Sequence, residues 1–245
     1  MDKGFNLQKP SSWPTEVQSF LRTNAPFYRE WFRKRKVGEL THWQSVALAA
    51  RHDALHAELQ KILQPHCLTG YHCTRLTEVE IEEVRATGLL PSSPAMLMQR
   101  IRRLPIPTTI QERLCSENQA ADGNRKGMIW FCLFPPVQEA FGVKRFFQSW
   151  GGEALYNSHE RDPETGPILQ QIGIPCVVEI KVPVSTMRHQ FFVADILRHH
   201  FKQERGPLKQ EGFSANPLAA SCIVRIHQHP GTSFTKLTGW DGACD

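Results

Sequence analysis

The sequence predicts an α+β fold. Two observations carry the prediction. Short apolar runs near positions 70, 130, 150, 178 and 224, bounded by turn residues, have the length and composition of strands. Helical periodicity fills the chain between the first of these runs and dominates residues 1–65 ahead of them. A hydrophobic content of 40% with 22% charged residues is that of a chain able to bury a core.

Residues 1–14 are polar and carry Pro10 and Pro14, so they read as a loose leader. Thr15 opens a helix through Val17, Phe20 and Leu21; Pro26 is expected to interrupt it before a second turn with Phe27, Tyr28, Trp31 and Phe32. The run Arg33-Lys34-Arg35-Lys36 follows, placing cations at a helix C-terminus. Thr41–Gln64 is a helix by its apolar recurrence (Trp43, Val46, Leu55, Leu59, Leu63), and Pro65 stops it. His52 and His56 stand one turn apart on it without a third ligand nearby and read as a surface pair. Residues 1–65 are thus expected to be a helical lead-in packed on a main domain spanning 66–245.

That part begins with Gly70-Tyr71-His72-Cys73-Thr74-Arg75, a strand ending in polar groups. Thr77 and Glu80 have the spacing of a capping box, Ile81 and Val84 give the helix that follows a narrow apolar stripe, and Gly88 ends it. His72, Thr74 and Arg75 therefore lie beside a helix N-terminus, where backbone N–H groups favour a phosphate or carboxylate. A short basic helix over Ala95–Arg103 and another near Thr109–Ser116 lead to the turn Asp122-Gly123-Asn124. Met128–Phe134 is continuously apolar and reads as a buried strand. In Phe141–Tyr156, Gly151-Gly152 precedes Glu153; an extended backbone there points Glu153 and Leu155 one way, Ala154 and Tyr156 the other. Residues 158–166 read as a polar loop. Ile174–Val184 is a Val/Ile-rich strand on which Glu179 and Lys181 face outward. Phe191–Phe201 reads as a helix, 206–217 as a loop, Ala220–Gln228 as the last strand, and the tail packs by Trp240.

Charge and cysteine usage narrow the function classes. A formal charge of +5 suits an anionic partner. The seven cysteines form no C-x-x-C pair, which leaves a zinc site or disulfide framework unsupported. With no apolar leader and no membrane-length run, the expectation is a soluble, cytoplasmic protein in a reducing compartment.

Tyr71-His72-Cys73-Thr74, a helix, and then Gly88-Leu89-Leu90-Pro91 resemble the opening strand of the ADP-ribosyltransferase family, in the branch that holds the poly-ADP-ribose polymerases and the RNA 2′-phosphotransferases. There the strand reads aromatic-His-Gly-Thr/Ser; Cys73 stands where the family has glycine, and the family's aromatic-between-glycines pattern is not present. The resemblance implies a split β-sandwich with a cleft for NAD, in which His72 and Thr74 hold NAD, Cys73 lies against it and Arg75 reaches the diphosphate. The chemistry then calls for a carboxylate near the ribose, which the reading assigns to Glu153 with Glu179 as runner-up. It also calls for an aromatic face, assigned to Tyr156 or Trp130.

The expected activity is transfer of ADP-ribose from NAD to a macromolecule, as in toxins or defence effectors. Arg33, Lys34, Arg35, Lys36, Arg100, Arg102 and Arg103 would meet an acidic protein or nucleic-acid target. Two alternatives are a nucleic-acid-binding module without catalysis, and an RNA-processing phosphotransferase or nuclease. The latter would pair His72 with His159, His227 or His229 as acid and base.

Overall fold

The computed structural model describes residues 4–37, 42–137, 142–188, 192–202 and 211–242. Thr41, Phe141, Phe191, Cys244 and residues 206–210 lie outside the described residues, as do the side chains of Lys36 and Trp43. Among the described residues the chain is α+β. Six strands, β1 (Cys67–Leu76), β2 (Ile129–Cys132), β3 (Ile174–Pro183), β4 (Met187–Arg188), β5 (Glu211–Ser214) and β6 (Ile223–Gln228), form one sheet in the order β4-β5-β2-β1-β3-β6. Every neighbouring pair is antiparallel. The helices are α1 (Thr15–Val37), α2 (His42–Leu63), α3 (Glu78–Thr87), α4 (Pro94–Arg102), α5 (Thr108–Ser116), α6 (Val143–Gln148), α7 (Glu153–His159), α8 (Thr165–Gln171), α9 (Phe192–His200) and α10 (Thr232–Thr238).

The leader is packed, not loose. Phe5 forms a parallel bridge to Leu68, and Phe5, Leu7 and Trp13 are buried. Its apolar side chains are too few to see by periodicity, yet each fills a gap against the sheet. Pro26 does not break α1 either. Val17, Phe20 and Leu21 before it and Phe27, Tyr28 and Trp31 after it are all buried. Burial of six large side chains at ~1.5–3 kcal/mol each outweighs the ~3 kcal/mol that an interior proline costs a helix.

Three apolar clusters result. The largest joins α1 and the end of α2 to one face of the sheet, including Leu68, Val178, Ile180 and Val182. A second lies among α4, α5, α7 and α8 around Trp150. The third packs Phe147, Phe234 and Trp240 on the opposite sheet face, over Tyr71, Cys73 and Val177. The tail thus packs by α10's Phe234 as well as by Trp240.

Several expected elements change. The run near 150 is helix, not strand: Gly151 (φ 85°) and Gly152 (φ 60°) turn the chain in the left-handed region, and α7 starts at Glu153. β5 lies where a loop was expected, and α8 occupies the end of the polar 158–166 stretch. The run Met128–Phe134 yields only four strand residues, although Leu133 and Phe134 stay buried. On β6 an irregularity opposite Glu179 and Ile180 breaks the expected alternation and leaves Val224 exposed. Glu179 does not simply face outward: β3 lies between β1 and β6, and Glu179 pairs with His227 at 3.0 Å.

Candidate functional site

The capping box read from the sequence anchors the site. Thr77 accepts from the Glu80 amide at 3.3 Å while the Glu80 carboxylate accepts from the Thr77 amide at 2.8 Å. Glu80 is buried and takes two further donors, Arg100 Nε at 2.6 Å and Trp150 Nε1 at 3.0 Å. Burial pushes its pKa up, but the Arg100 charge and the three hydrogen bonds to the carboxylate together hold it below the ordinary range. One carboxylate thereby fixes the start of α3, the side of α4 and the indole that fills the second cluster.

β1 and β2 meet in register only at Tyr71 and Cys132. Beyond that point the His72 ring meets the Trp130 carbonyl, with Nδ1 at 2.7 Å. Burial lowers the His72 pKa and Arg100 lowers it further, against the pull of that carbonyl. The neutral ring donates Nδ1–H to Trp130 and turns Nε2 to the open side. Here, where the three apolar clusters meet, lies a cavity of about 600 Å³. His72, Cys73 and Thr74 line it from β1, Trp130 and Cys132 from β2, Glu211 from β5, and Glu153 and Tyr156 from α7. The His-x-Thr segment and the Gly-Gly-Glu segment therefore do converge on one groove.

The chemistry of the wall differs from the sequence-based assignment at four residues. Arg75 is removed from the ligand set: its guanidinium donates to the carbonyls of Ile172, Phe147 and Gly173 at 2.8–3.0 Å, and it does not line the cavity. It ties the start of β3 and the end of α6 to β1. Tyr156 lines the cavity but its ring is covered, with the Arg145 guanidinium 4.0 Å from the centroid and Phe146 edge-on. Because the segment is helical, Glu153 and Tyr156 share a side instead of alternating; burial and the Glu153 charge push the Tyr156 phenol upward. Glu153 itself pairs with Arg125, 3.3 Å away. Cys73 is buried and hydrogen-bonded to Cys132, which, with burial, pushes its thiol well up.

Trp130 lines the cavity. Its indole N–H donates to the Asn124 carbonyl at 2.8 Å, and its ring leans on Phe213 at 4.9 Å.

Sequence reasoning missed Glu211. It opens β5 in register with Cys132, which is in register with Tyr71, so the three side chains share one sheet face. No cation pairs with its carboxylate among the described residues. Partial burial and the nearby Glu153 charge raise its pKa above the ordinary 4.5. The signal available was a carboxylate heading the short Glu211-Gly212-Phe213-Ser214 run, too short to read as a strand alone.

The remaining candidates lie elsewhere. His159 is buried between Thr165 and the Glu117 carbonyl. His227 is tied to Glu179, and His229 packs against Trp240. None of these three histidines lines the cavity with His72, so the acid–base pairs considered for phosphoryl transfer are not assembled. Of the cations, Lys34 pairs with Glu30, Arg35 lies over the Trp31 ring, Arg100 holds Glu80 and Arg103 holds Glu83; Arg102 is exposed. Among the described residues no group of three His, Cys, Asp or Glu is placed to hold a metal ion, and no helix is long and apolar enough to cross a membrane. The six described cysteines are free thiols. Compared with protein-family models, with curated proteins and with solved structures, the chain matches none.

Proposed function

We propose that the chain is an NAD-dependent ADP-ribosyltransferase, with NAD bound at the β1–β2 seam and ADP-ribose passed to a macromolecular acceptor. One observation carries the reading: His72, Thr74 and two carboxylates of unequal environment, Glu153 and Glu211, face one cavity of about 600 Å³. That volume falls within the ~300–1,000 Å³ typical of ligand sites. His72 presents Nε2 to a ribose hydroxyl, its ring held by the Trp130 carbonyl. Trp130 offers its face to the nicotinamide ring.

The reaction breaks the bond between the ribose anomeric carbon and nicotinamide, which leaves with the bonding pair. Positive charge grows on the ribose, and a carboxylate beside it stabilises that charge before the acceptor's nucleophilic atom bonds to the same carbon. Glu211 suits this role better than Glu153, since Arg125 already spends part of the Glu153 charge. Glu153 then acts through Glu211, keeping it readily protonated so that it can take the proton released by the acceptor.

The test is release of nicotinamide from NAD by the pure protein, with protein and nucleic-acid acceptors supplied. Glu211→Gln is expected to reduce the rate about 100-fold or more, the usual cost of removing one charge-stabilising group. Glu153→Gln is expected to retain measurable activity while moving the acid limb of the pH–rate profile toward lower pH. No release from the native protein under any of these conditions overturns the reading; full activity in Glu211→Gln removes Glu211 from it.

A further inference from the structure

Two thiols face the cavity, and the sheet brings them together. Of the described cysteines, Cys73 and Cys132 line it, whereas Cys67, Cys115, Cys176 and Cys222 do not. Tyr71 stands opposite Cys132 across the β1–β2 seam. Cys73 lies two residues along β1 from Tyr71, on the same sheet face, so it is a diagonal neighbour of Cys132. Cys132 packs against the apolar cluster that holds both Tyr71 and Cys73. The two thiols are within hydrogen-bonding reach, and that contact, with burial, accounts for the raised Cys73 thiol.

The pair is asymmetric, and the strands that carry it have room to shift. Cys73 is buried and Cys132 is partly exposed, so a small oxidant entering the cavity meets Cys132 first. β1 pairs with β3 along its whole length, but it is in register with β2 at Tyr71 and Cys132 alone. Diagonal neighbours in an antiparallel pair stand about 7–8 Å apart, and a disulfide holds its Cα atoms roughly 4.4–6.8 Å apart, so a bond between these sulfurs draws the two strands together. Among the described residues no third His, Cys, Asp or Glu completes a metal site with the pair. Thiol oxidation is the chemistry that two adjacent cysteines supply by themselves.

We propose that Cys73 and Cys132 are a redox-active dithiol, which a peroxide entering the cavity oxidises to a disulfide across β1 and β2. With hydrogen peroxide, the Cys132 sulfur attacks one peroxide oxygen; an S–O bond forms, the O–O bond breaks, and the departing hydroxide takes the thiol proton and leaves as water. The Cys73 sulfur then attacks the Cys132 sulfenic acid. An S–S bond forms, the S–O bond breaks, and the second hydroxide leaves as water with the Cys73 proton. Each sulfur gives up one electron and the peroxide takes two. The oxidation needs neither NAD nor an acceptor. Because Cys73 lies between His72 and Thr74, the bond shifts both toward β2 and changes the shape of the cavity wall that they form. A thiol reductant restores the open seam.

The experiment treats the full, reduced chain with hydrogen peroxide, blocks the remaining thiols with iodoacetamide in denaturant, and maps the digest by mass spectrometry. A cross-link between the peptides carrying Cys73 and Cys132 is expected, two hydrogens lighter than the reduced pair and reversed by dithiothreitol, while the buried Cys176 is recovered alkylated. Cys73→Ser should stop at a Cys132 sulfenic acid that dimedone traps, and Cys132→Ser should leave Cys73 reduced. Amide hydrogen exchange over 70–74 and 129–133 should slow on oxidation and recover on reduction. If either serine variant fails to fold, the cross-link map and the exchange of the native chain decide the matter. Peroxide treatment that yields no Cys73–Cys132 cross-link, a cross-link that forms only in urea, dimedone trapping at Cys73 in Cys132→Ser, or exchange in both segments unaltered by the bond would each overturn the assignment.

Discussion

Glu80 shows how much a single side chain can be asked to do. It closes the cap of α3, pairs with Arg100 and accepts from Trp150 in one buried spot. Removing one partner of a buried ion pair costs ~3–5 kcal/mol. Glu80→Gln keeps one oxygen for the indole but leaves Arg100 uncompensated, so the expected loss is about 3 kcal/mol, or roughly 6–12 °C in Tm for a chain of this size. Thermal denaturation checks it. The pH dependence has a definite sign. The folded-state pKa of Glu80 lies below its ordinary 4.5, so its contribution is present above that value and is lost as pH falls through the depressed folded value. The stability of Glu80→Gln should therefore fall less steeply than that of the native protein as pH drops below about 4.5. A parallel fall in both would show that the ionised form of Glu80 contributes nothing.

At the scale of elements, the wall of the cavity depends on how α3 ends. Gly88 sits at φ 88°, its amide closing α3 on Val84, and the next residue, Leu89, bridges to Leu218. A Cβ at Gly88 would stand 1.9 Å from the Leu218 carbonyl oxygen, a collision with backbone that cannot be relieved by a rotamer change. Gly88→Ala is thus expected to cost more than the ~1 kcal/mol of left-handed strain alone. It should also move Leu89 and Leu90, which line the cavity. Urea denaturation reads the first effect, and ligand affinity in whatever variant still folds reads the second. A change below 1 kcal/mol would mean that the segment carrying Leu218 is free to retreat.

For the whole molecule, the first residues act as part of the core. The Trp13 indole donates to the Asn6 carbonyl at 2.9 Å, and the Asn6 amide donates to the Tyr71 hydroxyl at 2.9 Å. Phe5 exchanges backbone hydrogen bonds with Cys67 and Thr69. The leader therefore stitches the helical lead-in to β1, the strand that carries His72. Trp13→Ala should destabilise the entire chain by ~3–5 kcal/mol in a single transition. Equilibrium unfolding followed by two probes would check it: separate transitions for helix and sheet signals would show that the lead-in has a stability of its own.

What could be read before folding is local, and what could not is long-range. Thr77, Glu80 and Gly88 named the limits of α3 because caps and stops depend on residues a few positions apart. The His72 segment and the apolar β3 run were legible for the same reason. Pro26 misled, because the burial that overrides its helix-breaking tendency comes from tertiary contacts. Arg75 read as a free cation until the carbonyls of residues 147, 172 and 173 came to it across the fold. Glu211 went unnoticed, since its place beside Glu153 and Cys132 depends on β5 pairing with a strand some 80 positions earlier. By itself the sequence determined several of the helices and strands and where some of them begin, since those choices rest on side chains within a turn of one another. Only the tertiary structure decided which charges are spent on the fold and which face the cavity, because pairing and desolvation are properties of neighbours that the chain brings together from far apart.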